Sequence, residues 1–438
     1  MTLVGLAASG ALWGQTPLPL DRDLRGRTAA ARRWLEGQVT PNHFVPEPDA
    51  SRRGLLVSYS LTPKQFPVGY HRSATYDDAV GALAFLVMGD RDRAAFTLHA
   101  LTRLVRPDGS LWFAYNTANN WPSESDHESA LVRAGTVAWV GYALTLYLAR
   151  RPGGPPGVDD REHAVFLETA RQLARYLLSL QVNDSSDPRD GLLRLGYGSI
   201  TLAFDTASHQ VVELYRDEPV TGISTENNII AWFFLRRLGG VSDDQSFSNA
   251  ANRIGNALLA SLWNDGLGQF NQGFTAQGKP DSNKALDCAS LGALFLAARG
   301  DHDRAERAIA AAERYYASRS GKAIGYRPYA DRTVYDDEAV GRFFFPQTPR
   351  TEWQDLPVVW SEGSLQLALA YQRLGRPEQA RHILLGLDAM RVASGGVRYA
   401  SMDVPFEMSR AASVAGSAWL ILVSRALAGD SLAREILR

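Results

Sequence analysis

The chain has 438 residues and a formal net charge of -1, with 46 Lys and Arg against 47 Asp and Glu, and 45% of its residues are hydrophobic. That balance supplies a large core and excludes the basic footprint of a nucleic-acid binder or a protein drawn to acidic membranes. Its one cysteine, Cys288, rules out an intrachain disulfide and a cysteine-built metal centre, and the eight histidines lack HExxH-type spacing, so no transition-metal site and no other cofactor is expected, while calcium held by carboxylates stays open. Residues 1 to 20 open with an apolar stretch ending in small residues but without a basic start. They read as a signal-peptide remnant or a disordered terminus, and a soluble periplasmic or secreted protein is expected, with a cytoplasmic one as the alternative. No other apolar run reaches the ~18 residues of a membrane span.

From residue 21 to 438 one repeating domain is expected, because strongly apolar helical segments alternate with amphipathic ones rich in Arg, Glu and Ala. The apolar segments fall near 75 to 89, 130 to 149, 224 to 238, 283 to 298, 358 to 374 and 410 to 427. Amphipathic partners follow near 91 to 105, 162 to 181, 245 to 263, 301 to 318 and 376 to 390, and a further one near 23 to 37 can pair with the last apolar helix. A helix apolar around most of its circumference must be buried on most sides, whereas a polar stripe marks an outer position. The pattern therefore predicts an all-α, (α/α)6 toroid of six helical hairpins. Glycine closes the inner helices in MGDRDRA, ARGDHDRA and LGRPEQA. After each outer helix comes a glycine-plus-aromatic segment, as in PDGSLWFAY, GLGQFNQGF and GGVRYAS, which reads as a short strand or hairpin. The long loops then gather at one pole, where the inner helices begin. The longest insertion, 182 to 223, is expected to form a hairpin flap over a cleft there.

Acidic and polar residues occupy the first turns of these apolar helices: Tyr76, Asp77 and Asp78 in TYDDAV, Glu226 and Asn227 in STENNI, Asp287 in KALDCA and Glu362 in WSEGSL. Arg133 takes the corresponding place in LVRAGT. Capping and the helix dipole favour acids in a first turn, so each alone has a structural explanation. Convergence at one pole argues for a site. Aromatic residues feed the same pole, namely Trp112, Tyr115, Trp121, Tyr326, Trp353 and Trp360, and aromatic faces pack against sugar CH faces while carboxylates bond the hydroxyls. Trp121 and Trp360 are the expected sugar platforms. Two carboxyl groups in different protonation states are what glycosidic cleavage needs. Glu226, backed by IIAWFFL, is the expected proton donor, with Glu362 or Asp77 as the base or nucleophile and Tyr76, Asp78, Trp121, Arg133, Asn227, Asp287, Tyr326 and Trp360 binding substrate.

The segments YDDA, STENN, LD, WSEG and VAGSAW, in this architecture, resemble the six-hairpin glycosidase superfamily over about residues 24 to 427. The resemblance implies a toroid acting on an oligosaccharide or polysaccharide, with Asp77, Glu226, Asp287 and Glu362 in the cleft. No complete signature of one characterised family is present, so substrate and oligomeric state do not transfer. A catalytically silent glycan-binding toroid stands as the alternative. So does a polysaccharide lyase, which would use Tyr76 or Tyr326 as base beside Arg133.

Overall fold

A computed structural model describes residues 20–62, 64–65, 70–120, 128–149 and 158–438. The N-terminal apolar stretch up to residue 19 and Trp121 lie outside the described residues. The helices are α1 (Leu20–Glu36), α2 (Thr75–Val87), α3 (Arg91–Leu104), α4 (Ala134–Leu148), α5 (Val158–Ser179), α6 (Thr225–Ser242), α7 (Gln245–Ala257), α8 (Leu286–Ala298), α9 (His302–Tyr316), α10 (Glu338–Phe344), α11 (Ser361–Arg373), α12 (Pro377–Gly386) and α13 (Val414–Leu427). Short strands fill the long connections.

Packing follows from which helices are apolar all round. Every residue of α4 is buried, as is nearly every residue of α2, α8 and α13. These, with α6 and α11, pack on one another in the cyclic order α2, α4, α6, α8, α11, α13 and back to α2. Each takes an amphipathic helix on its outer side: α3 on α2, α5 on α4, α7 on α6, α9 on α8, α12 on α11, and α1 on α13. Small residues set the spacing within the ring. Gly141 of α4 faces Phe234 of α6 so closely that an added Cβ would lie 2.3 Å from the phenylalanine ring. The tight inner-to-outer turns use left-handed glycines, Gly89 at φ 78° and Gly300 at φ 79°, and the outer helices that follow are capped by Asp90 and Asp301 accepting from Arg93 N and Arg304 N.

The opposite connections are long. Each inner helix is entered from an extended residue, Ala74, Arg133, Ser224, Ala285, Trp360 and Ser413 respectively, so the chain arrives as a strand and turns into the helix. The longest hairpin pairs Arg194–Asp205 with Gln210–Ser224 inside a five-stranded sheet with Val132–Arg133, Gly273–Phe274 and Pro280–Asp281. Its tip reaches α10, where Phe204 and Phe343 stand 5.7 Å apart. A satellite core of Val334, Tyr335, Val340, Trp353, Val358, Ala400 and Val404 lies beneath that contact. The rim is therefore packed structure. Among the described residues no helix is long and apolar enough to cross a membrane.

Candidate functional site

Position within the first turn sorts the polar residues that open the inner helices. The second residue is Tyr76 in α2, Glu226 in α6, Asp287 in α8 and Glu362 in α11. The fourth is Asp78 in α2, Asn228 in α6, Ser364 in α11 and Ser417 in α13. Residues two apart on a helix point about 200° away from each other. The two sets therefore face opposite ways.

The second-position groups meet. The Tyr76 hydroxyl donates to Glu362 Oε1 and accepts from Trp419 Nε1 at 2.7 Å, and Gln366 Nε2 donates to the same Glu362 oxygen at 3.3 Å. Glu362 is 7% exposed. Burial pushes its carboxyl up to about 8; the Tyr76 hydrogen bond opposes this, while the charges of Asp77 and Glu226 add to it. Glu226 and Asp287 keep part of their surface open yet stand deep among protein atoms, which marks groups lining a recess. Burial lifts Glu226 to about 7, and lifts Asp287 well above the carboxylate range with help from the charges of Glu226 and Glu362. No hydrogen bond to the Glu226 carboxyl comes from any described residue. Hydrogen bonding thus separates two groups that burial treats alike: donors favour charge on Glu362, and none does so on Glu226.

The fourth-position groups are spent on the backbone. Asp78, fully buried, accepts from Leu56 N at 2.7 Å and from Ser73 Oγ at 2.8 Å. Asn228 accepts from Leu193 N at 2.7 Å and donates to Leu193 O and Ser224 O. Ser364 Oγ accepts from Tyr326 N at 2.9 Å, and Ser417 Oγ accepts from Val397 N at 3.0 Å. These bonds tie each incoming strand to the helix it feeds.

Several expected site residues are accordingly reassigned. Asp78 holds the Leu56 loop and has no face toward substrate. Asp77 is 4% exposed and takes hydrogen bonds from the Ser58 hydroxyl and the Ala415 amide; burial still lifts it to about 7. Asn227 is wedged against Gly135, where an added Cβ would lie 2.2 Å from its Oδ1. Arg133 donates to Tyr197 O at 2.9 Å and so anchors the long hairpin. Tyr326 is 2% exposed and sends its hydroxyl outward to Glu313 of α9 at 2.5 Å, a carboxylate that also binds Tyr371. Of the residues a lyase would use, Tyr326 and Arg133 are thus committed elsewhere. Trp353 and Tyr115 are buried core, and Trp112 carries Arg106 at 4.3 Å from its ring centre. Trp360 is 7% exposed, packed on Gly363 and edge-on to Tyr399 at 6.2 Å, so it is wall and not an open platform.

The aromatic lining comes instead from Tyr59, Tyr329 and Tyr399, which are partly exposed. Glu362 and Asp77 act on Tyr399, and Asp287 and Glu226 act on Tyr329. Tyr59 and Tyr399 meet edge to face at 5.8 Å. Tyr399 lies in a glycine-aromatic segment already conspicuous in the sequence, GGVRYAS. Tyr329 lies three residues beyond Tyr326, past Pro328, whose carbonyl accepts Leu286 N at the start of α8.

No family model and no curated protein matches the chain. Solved structures do. A glycosidase variant in complex with glucose superposes with a TM-score of 0.60 at 13% identity, covering 93% of this chain and 99% of that one. The GH63 mannosylglycerate hydrolase of Thermus thermophilus, in complex with Tris and D-glycerate, gives a TM-score of 0.60 at 14% identity over 91% and 99% of the two chains. The chain shares the fold of these glycosidases. At these identities the likeness speaks for the fold alone.

Proposed function

We propose that the cyclic packing is an (α/α)6 toroid and that the protein hydrolyses glycosidic bonds in the recess where α2, α6, α8 and α11 begin. One observation carries this reading: Glu226 and Glu362 share a tyrosine-lined recess, and only Glu362 receives hydrogen-bond donors. Glu226, with no donor to stabilise its charge, carries the proton in the productive form, a minority one because burial lifts Glu362 to about 8 and Glu226 only to about 7. It passes that proton to the glycosidic oxygen as the bond to the anomeric carbon breaks. Glu362, ionised and oriented by Tyr76 and Gln366, works at the anomeric carbon, either by taking a proton from the attacking water or by attacking directly and being released by water afterwards. Asp287, kept neutral beside Glu226, is positioned to bond a sugar hydroxyl. The fold neighbours bind glucose or act on mannosylglycerate, so small glucosides and mannosides are the first substrates to try.

The test is hydrolysis of such a panel by wild type and by Glu226→Gln. Gln keeps the size and hydrogen bonding but cannot deliver the proton, so turnover of unactivated glycosides should fall by about 10²–10⁴-fold. A glycosyl fluoride, whose leaving group needs little protonation, should be partly spared. Equal rates for the two proteins on an unactivated glycoside would end the assignment, and binding without turnover by wild type would leave a glycan-binding toroid.

A further inference from the structure

One part of the rim is left over from this chemistry. The segment Val404–Met408 is a tight turn in which Met408 N and Glu407 N both return to Val404 O, and the Tyr335 hydroxyl pins it through Pro405 O at 2.8 Å. At its tip Phe406 has φ 64°, in the left-handed region that glycine or asparagine occupies cheaply and a bulky side chain rarely does. It is also 54% exposed, the most exposed of the large hydrophobic side chains among the described residues. Neither backbone preference nor core packing accounts for a phenylalanine there. A strained, solvent-facing aromatic on a pinned turn is a feature that function can explain.

Its neighbours link it to the recess. The Phe406 ring lies 6.1 Å from Phe344, which lies 5.0 Å from Tyr335. Beside it the charge of Glu407 acts on Tyr329, Tyr335 and Arg332. The Arg332 guanidinium stacks over Tyr329, 4.9 Å from the ring centre, and Tyr329 in turn senses Glu226 and Asp287. Aromatic face, carboxylate and guanidinium therefore line a path from the carboxyl groups outward to the rim.

We propose that Phe406, Glu407 and Arg332 form an outer subsite for a second, uncharged sugar residue, with Phe406 as its stacking platform and the two charged groups bonding its hydroxyls. The three acids whose charges act on Arg332, Asp281, Asp336 and Glu407, disfavour an anionic occupant and favour a neutral polyhydroxylated one. The proposal rests on the glycosidase reading for its ligand class, but it predicts binding whether or not catalysis follows.

Calorimetric titration of wild type and Phe406→Gly with gluco- and manno-oligosaccharides of one to four units tests it. Glycine suits φ 64°, so the variant should fold with an unchanged or raised melting temperature. Wild type should gain affinity from one unit to two or three, and Phe406→Gly should lose that gain, about five- to tenfold, while monosaccharide affinity stays the same. Phe406→Trp should restore it, and Arg332→Gln should weaken the longer ligands alone. Equal length dependence in wild type and Phe406→Gly overturns the subsite. If wild type binds no member of the panel, the subsite and the glycan reading fail together, whereas length-dependent binding without turnover would sink catalysis only.

Discussion

The second and fourth residues of the inner helices make a controlled comparison, because both sets are polar, both sit in a first turn and both are deeply placed. Asp78 and Glu362 show the difference best. Burial raises the proton affinity of each. Asp78 has both oxygens bonded to the Leu56 loop and Ser73, and nothing is left for a ligand. On Glu362 both donors converge on Oε1, a geometry that orients a carboxyl while leaving its second oxygen for chemistry. The lesson is rotational: two residues along a helix turn a group from the strand-binding side to the recess.

The largest expected consequence is in stability against pH. Glu362 ordinarily ionises near 4.5 when exposed and is lifted to about 8 in the folded protein, so its neutral form is fully favoured below pH 4.5 and the advantage is lost as pH rises toward 8. Glu226 and Asp77, each at about 7, act in the same direction. The melting temperature should fall between about pH 5 and pH 9, and Glu362→Gln, which cannot ionise, should flatten that slope. The variant should gain on the order of 4 kcal/mol relative to wild type at pH 9 over pH 5. Parallel curves for the two proteins would mean that Glu362 is not held neutral.

Next in size is the fourth position. Asp78→Ala leaves the Leu56 amide and the Ser73 hydroxyl buried without partners, at a cost of about 2–4 kcal/mol. Asp78→Asn can accept from Leu56 and donate to Ser73, and should stay within about 1 kcal/mol of wild type in denaturant unfolding at pH 7. Activity per folded molecule should survive in both. A large loss of turnover in Asp78→Asn would return this residue to the recess.

Much of this is legible in the chain itself, because a ring of apolar helices imposes its period on hundreds of residues. The hairpins, the glycine breaks, and Tyr76, Glu226, Asp287 and Glu362 all follow from that periodicity. What periodicity does not resolve is rotation about each helix axis. TYDDAV offers three adjacent polar residues, and the choice between Tyr76 and Asp78 depends on where an incoming strand needs a hydrogen-bond partner some twenty residues away. The aromatic lining failed for a related reason. Tyr326 and Tyr329 share one glycine-aromatic segment, but the strand Ala323–Tyr326 turns the first toward Glu313 and the chain past Pro328 brings the second to the recess. Trp360 caps the entrance to α11 and is held there by Gly363 packing, which its neighbours in the sequence do not announce.

The smallest effect is the most informative about roles, and it concerns Tyr76. Its hydroxyl bonds Glu362 and holds Glu362 below where burial alone would put it. Tyr76→Phe removes that donor and leaves Trp419 Nε1 without its acceptor, a loss of about 1 kcal/mol in stability. The charged form of Glu362 becomes harder to reach, so its ionisation should move upward by about one pH unit. Glu362, at about 8, ionises above Glu226, at about 7, so the descending limb of the kcat/KM profile reports Glu362 and should shift to higher pH in Tyr76→Phe. If Glu362 acts as the ionised partner, the maximum should also fall about tenfold, because the form with Glu226 protonated and Glu362 ionised becomes rarer. If instead Glu362 were the proton donor, the same limb would move and the maximum would hold. The profile of this one variant, recorded on a glycoside that wild type cleaves, therefore decides which of the two carboxyl groups delivers the proton.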